Sequence, residues 1–153
     1  MIRRQLINFQ NRSVDVRVGL GAFDELSRMF ASAVGKPKRA MVVWNSASSE
    51  RFDEVVEHAL VDAGFAVSQF SLEVSPAGAT LADADAIFGA LSVNGITCDD
   101  LVVAVGDAAT CSVVSWCANQ WCGRTECALL PTTFDAMPPS LKHISEPTKQ
   151  TPN

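Results

Sequence analysis

The 153-residue sequence predicts a single α/β domain, a parallel sheet wound on both faces by helices. Three observations carry this expectation. Short apolar runs alternate with helical stripes along most of the chain; one run, DLVVAV (100–105), is apolar on both faces as a central parallel strand is; and the length suits one core rather than two.

SVDVRV (13–18) alternates apolar and polar residues as a half-buried strand does. AFDELSRMFASAVG (22–35) then sets Leu26, Met29, Phe30 and Ala33 at helical spacing, with Gly35 as the stop. AMVVW (40–44) is a short apolar strand, and the helix after it carries Phe52, Val55, Val56, Ala59, Leu60 and Ala63 on one stripe, ending at Gly64. FAVSQFSL (65–72) is strand-like. Thr80, three residues before Asp83, resembles a capping box opening a helix through Ile87, Phe88 and Leu91, which Gly95 closes. After DLVVAV, a stripe of Val113, Val114, Cys117, Ala118 and Trp121 precedes a last strand, CALLP (127–131). Five strands separated by four helices imply a Rossmann-like, doubly wound parallel sheet with right-handed crossovers. That domain spans 1–137. The stretch 138–153 holds four of the seven prolines and little apolar periodicity, which predicts a poorly ordered tail.

Composition narrows the function classes. With 48% apolar residues, 19% charged and a net charge of −5, the chain reads as globular and mildly acidic, without a basic stripe to engage nucleic acid. The opening MIRRQLINFQ lacks the apolar run of a signal peptide, and nowhere do eighteen apolar residues follow one another, so a cytoplasmic location and no membrane partner are expected. The five cysteines form no CxxC pair and read as reduced, mostly buried thiols. Cys111, near a predicted helix start, is also open to a lowered pKa and reactivity. His58 falls opposite the Phe52–Leu60 stripe and His143 lies in the tail, so neither has a ligand partner at helical spacing.

In an open parallel sheet, ligands bind beyond the carboxyl ends of the strands, where strand order reverses. The segments there are 19–21, 45–48, 75–78, 106–110 and 131–135. VGLGAFDEL contains a GxG before a helix, but Asp24 stands where the third glycine of a dinucleotide fingerprint would be and no acidic residue follows at the ribose distance, so the match is weak and a plain turn that needs glycine is the better reading. Asn45 can pair with a ribose hydroxyl or base edge, or satisfy its own turn.

The order of these pieces, from about Val16 to Ala136, resembles the N-terminal domain of the 3-dehydroquinate synthase family, relatives of glycerol dehydrogenase and the iron-type alcohol dehydrogenases. VGLGAFDEL is similar to the family's opening glycine turn, VVWNSASSERFDEVVEHALVDAGF to its second strand and helix, and DDLVVAVGDAAT with ALLPTT to its glycine-rich loop and Pro-Thr-Thr turn. The resemblance implies a two-domain enzyme in which this half binds NAD, while a helical half, missing here, supplies the divalent-metal ligands and most substrate contacts. The implied chemistry converts a seven-carbon sugar-acid phosphate to 3-dehydroquinate, with transient oxidation by NAD and loss of phosphate, in the shikimate route.

Carried over by position, the family's three-glycine loop falls on Gly106, Asp107 and Ala108, its following Gly-Asp on Cys111 and Ser112, and its nucleotide-contacting threonines on Thr132 and Thr133. In the loop the family writes as DGExxK, this chain has Ala77, Gly78, Ala79 and Ala82, so the glutamate and lysine are replaced. Asn45 sits where the family approaches the adenosine. The candidate cofactor-binding residues are therefore Asn45, Gly78, Gly106, Asp107, Ala108, Thr132 and Thr133; no catalytic or metal-ligating residue is assigned, and Asp135 is out of register with the family's aspartate.

A helix beginning near Ala109 favours an anion at its N-terminus by typically 0.3 to 1 kcal/mol. A carboxylate at 107 opposes it, because two like charges about 4 Å apart repel by roughly 1 kcal/mol in water and about 4 at a surface-like dielectric. NAD is accordingly expected to bind weakly or not at all. Alternatively Asp107 caps the helix itself. The leading expectation is a catalytically incomplete lobe whose partners are a dinucleotide, if any, and the absent helical domain, with a homodimer left open. The alternatives are a non-enzymatic binding or dimerisation module and the lobe of a glycerol-dehydrogenase-like oxidoreductase. A receiver-type signalling domain is disfavoured, since it needs clustered acidic residues after its first strand and a lysine after its last.

Overall fold

The structure, a computed structural model, describes residues 1–10, 12–33, 36, 38–46 and 52–133. The predicted tail and Gly35 lie outside these residues. The chain opens with β1 (Arg3–Phe9) and β2 (Arg12–Val18), then a 3-10 turn (Ala22–Glu25) and α1 (Leu26–Ala33). From there strand and helix alternate: β3 (Arg39–Asn45), α2 (Asp53–Asp62), β4 (Ala66–Leu72), α3 (Leu81–Val93), β5 (Leu101–Gly106), α4 (Ala108–Gln120) and β6 (Glu126–Pro131).

The four later strands form one all-parallel sheet in the order β4-β3-β5-β6. Its two inner strands are buried on both faces, and the period-two geometry of a strand sorts their residues into two cores. Ala40, Val42, Trp44, Leu101, Val103 and Val105 pack on Leu26 and Phe30 of α1 and on Val56, Ala59 and Leu60 of α2. Met41, Val43, Val102 and Ala104 face the other way, onto Ala84, Ile87 and Leu91 of α3 and Val113, Val114 and Cys117 of α4. Helices thus cover both faces, as the uninterrupted apolar runs of β3 and β5 require.

The first predicted strand is a strand but not a member of this sheet. Residues 12–18 pair antiparallel with 3–9 in a separate two-stranded hairpin. The reason is visible in its side chains. Asp15 pairs with Arg4 at 3.0 Å, and Arg17 pairs with Glu25 at 2.6 Å, so the face that a parallel sheet would have buried beneath helices is held by ion pairs instead. The GxG before α1 serves this hairpin: a Cβ on Gly19 would lie 2.5 Å from the Met1 carbonyl oxygen, and Gly21, at φ 84°, starts the 3-10 turn.

The predicted capping box is present. The Thr80 side chain accepts from the Asp83 N–H while Asp83 accepts from the Thr80 N–H at 2.7 Å. The α2 stripe is narrower than its spacing suggested, with Val56, Ala59 and Leu60 buried but Val55 exposed. The five cysteines are free thiols, Cys111 and Cys117 buried and Cys127 partly so, whereas Cys98 and Cys122 are exposed. No helix among the described residues is long and apolar enough to cross a membrane.

Candidate functional site

The chain order reverses between β3 and β5, since the connection from β3 leads outward to β4 and the next returns past β3 to β5. The crevice at such a point opens beyond the carboxyl ends of the two strands, here Asn45 and Gly106.

Asn45 is 5% exposed. Its Nδ2 donates to the Val74 carbonyl at 3.2 Å and to Thr110 Oγ1 at 3.0 Å, so one amide joins the end of β3, the loop after β4 and the first turn of α4. Gly106 closes β5 against the same threonine. A Cβ at 106 would lie 2.9 Å from Thr110 Cβ and 3.0 Å from its Cγ2, so glycine is needed here for strand-to-helix packing. The Thr132 N–H donates to the Gly106 carbonyl at 2.9 Å, which seats the turn after β6 beside the end of β5.

Asp107 is the N-cap of α4, in an extended conformation at φ −76° and ψ −177°. Its Oδ1 accepts from the Thr110 N–H at 3.0 Å and from Thr110 Oγ1 at 2.7 Å. Burial raises the pKa of this carboxyl, but the Thr110 N–H and hydroxyl, the Asn45 amide and its own N–H together hold it below the ordinary value. Cys111, four residues after Asp107, is no reactive thiol: burial and the Asp107 carboxylate push its pKa up to about 11. The helix terminus that would have lowered it is turned toward a carboxylate.

Of the sequence candidates, Asn45, Gly106, Asp107 and Thr132 therefore come together, with Ala108 as the first residue of α4 and Thr133 exposed beside Thr132. Gly78 stands apart on the loop rooted at Val74. It closes a turn by donating its N–H to the Ser75 carbonyl at 3.0 Å, and a Cβ there would meet nothing within 4 Å. Thr110, which sequence reasoning did not single out, is the centre of the arrangement. Asp107 and Thr110 stand three residues apart with the residue types reversed from Thr80 and Asp83, so the capping-box pattern does not mark Thr110 in the sequence.

A dinucleotide's pyrophosphate does not fit the first turn of α4 as it stands. The open space before a helix N-terminus that a phosphate would use holds the Asp107 carboxylate, the one charged group among Asn45, Gly106, Asp107, Ala108, Thr110, Thr132 and Thr133. Among the described residues no group of three or more His, Cys, Asp or Glu side chains is placed to hold a metal ion.

No protein-family model and no curated protein matches the sequence. Solved structures do match the fold. A 2-deoxy-scyllo-inosose synthase complexed with carbaglucose-6-phosphate, NAD+ and Co2+ superposes with a TM-score of 0.77 at 15% identity, over 86% of this chain and 36% of that one. A second structure of a 2-deoxy-scyllo-inosose synthase gives 0.75 at 16% identity, over 86% and 37%. ValA, the 2-epi-5-epi-valiolone synthase of Streptomyces hygroscopicus subsp. jinggangensis 5008, with NAD+ and Zn2+ bound, gives 0.65 at 15% identity, over 84% and 35%. The chain thus shares the Rossmann-like α/β fold of these structures, and it spans about a third of their length. At such identity the likeness carries the fold and not the chemistry.

Proposed function

We propose that the chain is the nucleotide-binding-type lobe of a 3-dehydroquinate-synthase-like protein, catalytically incomplete by itself. The observation that carries the reading is the reversal between β3 and β5, which gathers Asn45, residues 106–110 and Thr132 at one crevice on a fold shared with NAD-bound sugar-phosphate cyclases. In the intact protein a second, helical lobe would bring the divalent metal and most substrate contacts, and the substrate class would be a seven-carbon sugar-acid phosphate cyclised with loss of phosphate. NAD, where bound, supplies reversible oxidation of a substrate hydroxyl. This chain's own share is the wall of the crevice, where the exposed 132–133 turn presents hydroxyl groups suited to a nucleoside or sugar.

The test is the intact mass of the native gene product, with a phosphate-release assay. A product more than twice this length, continuing into a helical lobe, is expected. A product that ends near residue 153 overturns the two-lobe reading. The chain alone, given the seven-carbon substrate, NAD and a divalent metal, is expected to release no phosphate; release overturns its incompleteness. A non-enzymatic binding module is the second reading, favoured by one observation: the polar groups of the crevice already bond to one another.

A further inference from the structure

The geometry points to Asp107 as an internal substitute for the dinucleotide's pyrophosphate: its carboxylate takes the place of the phosphate at the start of α4, and this lobe does not take up NAD there. The inference rests on the fold reading above and deepens it.

Three features agree. First, the donors are committed. Of the N–H groups in the first turn of α4, that of Thr110 serves Asp107 Oδ1 and that of Cys111 serves the Asp107 carbonyl at 2.9 Å. Second, the freedom that glycine lends a phosphate loop is used otherwise. The space before Gly106 is filled by the side chain of Thr110, and position 108 carries a methyl group where the backbone would have to approach the ligand. Third, the Asn45 amide, buried in the crevice, is turned onto Val74, Thr110 and Asp107 rather than toward an incoming ribose. Thr110 is fixed by both partners at once.

The electrostatic consequence follows from distance alone. A pyrophosphate brought within about 4 Å of this carboxylate is repelled strongly enough, at a surface-like dielectric, to lose on the order of 10²- to 10³-fold in affinity. The helix terminus returns less than that, and part of its field is already neutralised by Asp107.

The experiment titrates the full chain with NAD and, separately, with inorganic pyrophosphate, by calorimetry and by thermal shift. Wild type at about 1 mM of either ligand is expected to melt within about 1 °C of the free protein, as linkage requires of a ligand whose Kd lies above its concentration. D107G/A108G, which returns both glycines, is expected to bind pyrophosphate at least about tenfold more tightly than wild type. D107S guards against misfolding, since serine still caps the helix while the charge is removed; it too is expected to gain pyrophosphate affinity. A gain for pyrophosphate alone supports the inference as fully as a gain for NAD, because it shows the seat reopened. A shift of several degrees by NAD on wild type overturns it, as does the absence of any gain in whichever variants fold. Either failure leaves the two-lobe reading standing, because the mass of the native product tests that separately.

Discussion

Asn45 and Thr110, 65 residues apart in sequence, meet at 3.0 Å from Nδ2 to Oγ1, and this one contact joins the end of β3 to the start of α4. Both residues are buried, so each depends on the other and on Val74 or Asp107 for the bonds that water would otherwise supply. Asn45→Ala leaves the Val74 carbonyl without this donor and removes one of the two side chains that orient Thr110. It is expected to destabilise the domain by about 1 to 3 kcal/mol, read as a lower urea midpoint with an unchanged slope. Asn45→Asp is expected to lose more, because it sets a second carboxylate against Asp107 and an acceptor against the Val74 carbonyl.

Gly106 is a packing glycine. An alanine there places its methyl 2.9 Å from Thr110 Cβ, and Thr110 cannot rotate aside without giving up its bonds to Asp107 and Asn45. Gly106→Ala is expected to cost about 1 to 3 kcal/mol. Adding Thr110→Ser removes Cγ2 and keeps the hydroxyl, so the double variant is expected to lose less than the sum of the singles. A double-mutant cycle in urea measures this, and strict additivity would refute the contact.

Asp107 contributes to stability as a cap, and the sign of its pH dependence is set by its lowered pKa. A carboxyl whose pKa is lower folded than unfolded stabilises the fold above its ordinary value of 3.8, and the contribution is lost as pH falls through the lower folded value. Asp107→Ala is expected to cost about 1 kcal/mol at neutral pH. The difference in Tm between the two proteins should then narrow below about pH 4. A difference that stays constant from pH 7 into that range would show that the carboxylate is not the capping species.

Much of this arrangement was legible in the residues, and what was not has a physical cause. β3 and β5 declare themselves because a strand buried on both faces has no polar position to disguise it, and Asn45 and Gly106 follow as the residues that end them. β1 does not. RRQLINF puts a polar or charged residue on each face, and what makes it a strand is its pairing with β2, a tertiary fact without a local period. The alternation of SVDVRV was read rightly as a strand and wrongly as a member of the parallel sheet; Asp15 and Arg17 were the sign that it could not be buried twice. Thr110 was hidden for a different reason. In sequence it is one more residue in the first turn of a helix, and its role exists only once Asn45 arrives from the far side of two crossovers.

The cysteines allow the sorting of surface from core to be checked without any ligand. Burial pushes Cys111 and Cys117 up to about 11 and Cys127 up to about 12, the carboxylate of Asp107 adding to the effect at Cys111. The reactive species is the thiolate, so these three are protected both by access and by protonation at neutral pH. Cys98 and Cys122 are exposed. Iodoacetamide at pH 8 on the folded chain is therefore expected to add two labels by intact mass, mapping to Cys98 and Cys122, with all five modified in urea. The same groups set an alkaline limit. A thiol whose folded pKa lies above its unfolded value of 9.0 supports the fold fully below pH 9.0 and loses that support as pH rises toward about 11. Stability should thus fall over that interval, and Cys111→Ala should shallow the fall. Rapid native labelling of Cys111 at pH 8 would show that the start of α4 is open to solvent after all, and with it the seat that Asp107 occupies.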